Sequence, residues 1–402
     1  MSGASKAAPP PSFSHLPPPA GQRGPRASGD LTSEWLAAIL RACHGAGYCL
    51  RGHEGYALPA GSIAVCSQLR GFTARGHVRG QEVIDHVVVK LLPEDPQMRR
   101  LVVNHRMFQC ETMVYRDLLP KLCRFEAAHG SRHVRELTVP CLYAGLLQAP
   151  DYAIVLENVQ KRGFRTIKSL QLRKPQLNAA VRSLAQLAAT SHVWLQETCT
   201  EDLPYLQDNT ITDGPQLADF IRMGLERLSA PLELGSHLRL RRRLLQLQLS
   251  SVRLLDAFLQ RPPAFRVLCH GDFRDGNLLL RETPDGDWQV RAVDWQTSRL
   301  GSPALDLLYL LLFSLPRREM ADLEEDVLAA YGRHFNRKLA ELGCARRYSA
   351  DQLRADFTAA KLVGLVWCLS AVQFWERVPG WAEHTLDLAL EVDRLGLLDG
   401  LQ

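Results

Sequence analysis

The sequence predicts an α+β chain of two lobes: a small β-rich N-lobe over residues 31–160 and a large, mostly helical C-lobe over 161–402. Three observations carry that expectation. Short β-branched runs broken by glycine, "GSIAVCSQLRGFTARG" and "EVIDHVVVKLLP", cluster before residue 95, and "TVPCLYAGLLQAPDYAIVLENV" adds two runs around a turn at "QAPD". From about Gly163 the composition changes to long Leu/Ala/Arg segments at helical spacing, clearest in "QLNAAVRSLAQLAATSHVWL" and "RLRRRLLQLQLSSVRLLDAFL". Inside that helical half, "LCHGDFRDGNLLL" (268–280) sets a polar, glycine-containing run between two strand-like flanks.

In chain order, residues 1–30 are rich in Pro, Ala, Gly and Ser and have too little apolar periodicity to bury a core, so disorder is expected. Their prolines argue against the amphipathic helix of a transit peptide, and no secretory apolar core is present. A helix should follow from Leu31, capped by Asp30, Thr32 or Ser33. The strand "HVVVK" ends on Lys90. "RLVVNHRMFQCETMVYRDLLPKLCRFEAAH" then shows sustained helical periodicity, with Phe108, Met113, Tyr115 and Leu118 as core candidates. "LVGLVWCLSAVQFW" (362–375) is short of the ~20 apolar residues of a membrane span and is expected to be a buried helix. The basic run "LRLRRRLLQ" (238–246) has the pattern of a solvated helix face.

The totals exclude several classes. With 402 residues, 46% of them apolar and 23% charged, the chain can bury a sizeable core. Its 48 basic residues are offset by 43 acidic ones, and the resulting +5 slightly favours a small anionic ligand without marking a nucleic-acid binder. The ten cysteines are scattered singly, without zinc spacing, as expected of free thiols in a reducing cytoplasmic compartment.

Four groups of residues carry chemistry. In "HGDFRDGN", H-x-D-x-x-x-x-N spacing brings His270, Asp272 and Asn277 into one loop. Phosphoryl transfer from ATP needs a carboxylate beside the acceptor hydroxyl and an oxygen ligand for Mg²⁺, and Asp272 and Asn277 supply both. Asp294, delivered by "RAVDWQ" after a "TPDGDW" hairpin turn, is a second hard oxygen ligand for Mg²⁺. Asp306 precedes seven apolar residues (307–313) and is expected to be a buried brace for the loop. Lys90 and Glu111, on a strand and the following helix, match a lysine that reaches ATP phosphates and the glutamate that holds it. Two weaker signals add to these. "YAIVLENV" ends on Glu157 and Asn158, a place for adenine to bond to backbone, and Gly61 with Ser62 mark a phosphate-loop region without a G-x-G-x-x-G pattern.

Taken in order, "VVVKLLPEDPQMR", "FQCETMVYRDLLPKL", "IVLENV", "CHGDFRDGN" and "VDWQTSRLGSPALDLLYLL" resemble the ecdysteroid-kinase-like branch of the choline/aminoglycoside phosphotransferase superfamily, over about residues 50–385. The resemblance implies a bilobal protein-kinase-like fold that binds ATP and Mg²⁺ between its lobes and phosphorylates a small-molecule hydroxyl, a steroid-like alcohol among the candidates. By matching position it makes Asp272 the base, Asn277 and Asp294 the magnesium ligands, Lys90 a phosphate contact, Glu111 its partner and Asp306 the brace. The chain departs from the family at Arg274, where an aromatic is usual, and at Ala188, where many members carry histidine. The alternative is a nucleotide-binding pseudokinase scaffold without turnover. Protein-kinase activity is disfavoured because no D-F-G and A-P-E segment lies between Asp294 and Asp306.

Overall fold

The computed structural model describes residues 31–58, 66–146, 152–167, 170–206, 214–228, 238–260, 262–375 and 378–399. The predicted tail, the "QAPD" turn and the Gly61–Ser62 region lie outside those residues. The chain divides into two compact units, one running to Lys121 and resuming over Thr138–Phe164, the other comprising Leu122–Leu137 and Arg165–Gln402.

The first unit is built on an antiparallel sheet of β1 (Tyr48–Tyr56), β2 (Gln68–Val78), β3 (Gln81–Leu91), β4 (Cys141–Leu146) and β5 (Tyr152–Glu157), in the order β1-β2-β3-β5-β4. Helix α1 (Ser33–His44) is capped by Thr32, whose hydroxyl accepts from the Trp35 amide. The helix lays Trp35, Leu36, Ile39 and Leu40 on a core with Phe72, Val87, Val89, Tyr143 and Val155. Helices α2 (Pro96–Asn104) and α3 (Met107–Met113) follow β3. The helix expected to run unbroken through this region is interrupted: Arg106 takes a left-handed φ of +51°, and Val114–Leu118 form a π-turn before α4 (Leu119–Ala128). The first break has no Gly or Pro to announce it, whereas the π-turn precedes Pro120, which has no N–H to offer the Arg116 carbonyl and crowds it. A helix bearing Glu111 between the third and fourth strands of this sheet is the protein-kinase-like arrangement.

The second unit is mostly helical. It contains the end of α4, then α5 (His133–Leu137), α6 (Lys174–Gln196), α7 (Gly214–Arg227), α8 (Leu238–Gln260), α9 (Pro303–Ser314), α10 (Arg317–Glu341), α11 (Ala350–Trp375) and α12 (Trp381–Arg394). Residues 122–137 are held here by buried Glu126, which accepts from Lys338 Nζ at 2.9 Å and the Val134 amide at 2.7 Å. Helix α6 packs on α10, and α11 packs on α7 and α9. Short strands interrupt the helices: β6 (Arg165–Thr166), β7 (Val267–Cys269), β8 (Leu278–Glu282), β9 (Trp288–Ala292) and β10 (Arg299–Gly301). The pairing of β7 with β10 and the β8–β9 hairpin leave residues 270–277 as the loop between β7 and β8. All ten cysteines are free. Among the described residues no helix is long and apolar enough to cross a membrane.

Candidate active site

The loop is built from its brace upward. Asp306, in the first turn of α9, is 2% exposed; its two oxygens accept from the His270 amide at 2.5 Å and the Gly271 amide at 2.8 Å. Burial pushes its carboxyl up to about 6, against the pull of those two amide bonds. Gly271 sits at φ +85°, and a Cβ there would lie 2.1 Å from the Thr297 carbonyl oxygen, so no other residue fits. His270, expected to take part in catalysis, is held within this frame. The side chain is fully buried, Nε2 donates to the Val293 carbonyl at 3.0 Å, Nδ1 accepts from the Asp272 amide at 3.3 Å, and the ring lies 4.5 Å from that of Trp295.

On this frame the Asp272 carboxylate is held at both oxygens. Arg274 Nε donates to Oδ1 at 2.9 Å, and Asn277 Nδ2 donates to Oδ2 at 2.6 Å and to the Asp272 carbonyl at 2.9 Å. Burial raises the Asp272 carboxyl; the Arg274 charge pulls it back and the Asp294 charge adds to the rise. Gly276 gives Arg274 its room, since a Cβ there would come within 2.2 Å of Nη1. The β8–β9 hairpin returns the chain so that the Val293 amide donates to the Asn277 carbonyl at 3.0 Å. Asp294 follows, half-buried, in a left-handed conformation (φ +70°, ψ +60°) that an aspartate adopts at some cost.

Asn277 and Asp294 fit the two-oxygen protein share of a Mg²⁺ site. The Asn277 amide nitrogen faces Asp272 and leaves its oxygen for a further partner, while the repulsion between Asp272 and Asp294 is of the kind a cation relieves. Among the described residues no three His, Cys, Asp or Glu side chains are grouped to hold a metal. An ion here would therefore depend on phosphate oxygens and water for its remaining positions, as Mg²⁺ commonly does.

Asp275 is the residue that sequence reasoning missed. It is fully buried, its amide donates to Ser314 Oγ at 2.9 Å, and its Oδ2 accepts from the Leu170 amide at 2.8 Å. Burial pushes this carboxyl up to about 7. Two acids in one eight-residue loop gave no hint of which one faces inward.

In the first unit, Lys90 Nζ and Glu111 Oε2 form a buried ion pair at 2.5 Å, with Lys90 on β3 and Glu111 on α3. Burial of both charges means that neither partner can be removed alone without a large cost. Glu157 and Asn158, expected to offer backbone to adenine, stand at the end of β5. The Glu157 amide donates to the Pro140 carbonyl at 2.9 Å and the Asn158 amide to the His86 carbonyl at 2.7 Å, so both donors are already committed.

A family model described as ecdysteroid kinase-like matches residues 66–344, more than half of the chain and the whole set from Lys90 to Asp306. The chain belongs to the ecdysteroid kinase-like family. No curated protein sequence matches it. Solved structures similar to this family member include an ethanolamine kinase from Plasmodium vivax, at 12% identity and TM-score 0.40, covering 89% of this chain and 84% of that one. A glucosamine kinase is 14% identical with a TM-score of 0.39, covering 93% and 85%. The GDP complex of a wild-type aminoglycoside 2'-phosphotransferase-IIIa is 15% identical with a TM-score of 0.38, covering 87% and 94%. TM-scores this low leave the family match as the comparison that bears on function.

Proposed function

We propose that this ecdysteroid kinase-like protein is an ATP-dependent small-molecule kinase that transfers the γ-phosphate to the hydroxyl of a small alcohol. The observation that carries the reading is the Asp272 carboxylate, held at one oxygen by Arg274 and at the other by Asn277, in a loop braced by Asp306. Each carboxylate oxygen keeps a second lone pair, so Asp272 can still accept the proton of an acceptor hydroxyl. The acceptor's hydroxyl oxygen then bonds to the γ-phosphorus while the bond to the bridging oxygen breaks and ADP leaves. Little else is demanded of the protein, because such transfer depends on positioning and charge neutralisation.

The Arg274 charge opposes the rise that burial gives the Asp272 carboxyl, and a guanidinium at this point of the loop is of the charge that suits phosphoryl oxygens. Lys90, oriented by Glu111, is the phosphate contact of the first unit. Mg²⁺, when bound through Asn277 and Asp294, would supply charge neutralisation on the phosphates. The family description makes a steroid alcohol the first acceptor to test.

A thermal-shift titration tests the nucleotide reading. A ligand that binds only the folded state at a hundredfold excess over its Kd stabilises it by about 2.7 kcal/mol. Millimolar Mg·ATP should therefore raise the melting temperature by several degrees, and Asn277→Ala should abolish the Mg²⁺-dependent part. An unchanged melting temperature would exclude nucleotide binding and the proposed activity with it.

A further inference from the structure

Helix α8 has two apolar faces, and only one of them is covered. Leu240, Leu244, Leu247, Ser251 and Leu255 recur at helical spacing and are buried in the second unit. Leu238, Leu245 and Leu249 recur at intervals of seven and four and are 49%, 47% and 83% exposed. At 100° per residue these three fall on one stripe opposite the buried face.

Arginines border the stripe on both sides, Arg241 on one flank and Arg242, Arg253 and Arg239 on the other, all exposed. Arg243 is engaged elsewhere, bonded to Asp393 of α12 and to Asp399, and Asp256, the one acid within α8, lies half-buried two turns beyond Leu249, where it ends the apolar stripe. The neighbouring α12 region exposes Leu390 and Leu395. Five of the seven exposed large apolar side chains among the described residues therefore lie on these two adjoining segments. A solvated helix face, the reading the basic run invited, accounts for the arginines and leaves the leucines unexplained.

We propose that α8 docks this protein on the surface of an anionic lipid bilayer, with Leu238, Leu245 and Leu249 entering the headgroup region and the flanking arginines meeting lipid phosphates. A narrow apolar stripe between two basic rims matches the boundary between acyl chains and anionic headgroups. A second copy of the chain fits less well, because a symmetric contact through this stripe would set arginine rims of like charge against each other. The proposal is independent of the phosphotransfer reading, since α8 supplies no residue to the site around Asp272.

The test uses the full-length protein and sedimentation with unilamellar vesicles of phosphatidylcholine, alone or with phosphatidylserine. The protein should sediment with the phosphatidylserine vesicles at low ionic strength, remain in solution with phosphatidylcholine alone, and dissociate as salt screens the arginines. Leu245→Gln with Leu249→Gln should weaken binding at least about tenfold. Arg241→Gln with Arg242→Gln should weaken it about fivefold per arginine. All four side chains are exposed, so each double variant should keep the wild-type melting temperature, and that measurement separates lost docking from lost folding. Absence of binding to phosphatidylserine vesicles would overturn the proposal, as would binding that the leucine pair leaves unchanged. A wild-type dimer in sedimentation velocity that the leucine pair converts to monomer would also overturn it, in favour of a second copy as occupant.

Discussion

Asp306 and Asp275 are both buried carboxyl groups that touch the loop around Asp272, and they solve the same problem differently. Burial pushes both upward, Asp306 to about 6 and Asp275 to about 7. Asp306 has an amide donor on each oxygen and converts its charge into the shape of residues 270 and 271. Asp275 has the Leu170 amide on Oδ2, while its buried Oδ1 has no hydrogen-bond partner. One acid is fully used as a brace. The other holds Leu170, itself at φ +57°, and leaves a carboxylate oxygen unsatisfied when ionised.

Substitution should separate the two acids most strongly at Asp306. Asp306→Asn sets an NH₂ group against a backbone N–H and should cost about 3 kcal/mol in urea unfolding, with turnover reduced because residues 270 and 271 lose their anchor. Asp275→Asn should act in the opposite sense. The folded carboxyl binds its proton up to about pH 7, well above its ordinary 3.8, so the native state holds more protons than the unfolded chain across that interval. Wild-type stability should therefore fall as pH rises from about 4 to about 7 and level off above it. Asp275→Asn should flatten that slope and be more stable than wild type at pH 8 by about 1 to 2 kcal/mol. Melting curves across pH check both claims.

Arg274→Met should lower stability modestly at neutral pH, because a largely buried carboxylate loses its charged partner, and should act chiefly on Asp272. Without the charge that pulls its carboxyl down, Asp272 ionises at higher pH, so the acid limb of the turnover profile should move upward. The smallest effect is expected for Gly276→Ala. The new Cβ meets the flexible end of Arg274 and should shift the acid limb in the same direction by less, with a stability change within about 0.5 kcal/mol.

Much of this site is legible in the chain because it depends on short spacings. Asp272 and Asn277 share one loop, Asp294 follows the hairpin that comes after it, and Asp306 stands just before an apolar run that has to be buried. The rest depends on distant partners. Asp275 is buried through Ser314 and Leu170, 39 and 105 residues away in sequence, and no local pattern distinguishes it from a solvated acid. The partners of His270, the Val293 carbonyl and the Asp272 amide, are likewise not signalled by its position in the motif. The leucines of α8 spread over more than half of the helix circumference, so periodicity alone could not show which face the rest of the unit would cover. The backbone donors of Glu157 and Asn158 are taken by strand and loop partners that the apolar run "YAIVL" does not reveal.

The most direct test of the account is phosphate transfer from Mg·ATP to a panel of small alcohols, steroid alcohols included, by wild-type protein and Asp272→Asn side by side. The account predicts Mg²⁺-dependent turnover of at least one acceptor by wild type. It also predicts a fall of about a hundredfold or more in the variant, with nucleotide binding retained. Equal rates in the two proteins would contradict the role of Asp272 and the site built around it.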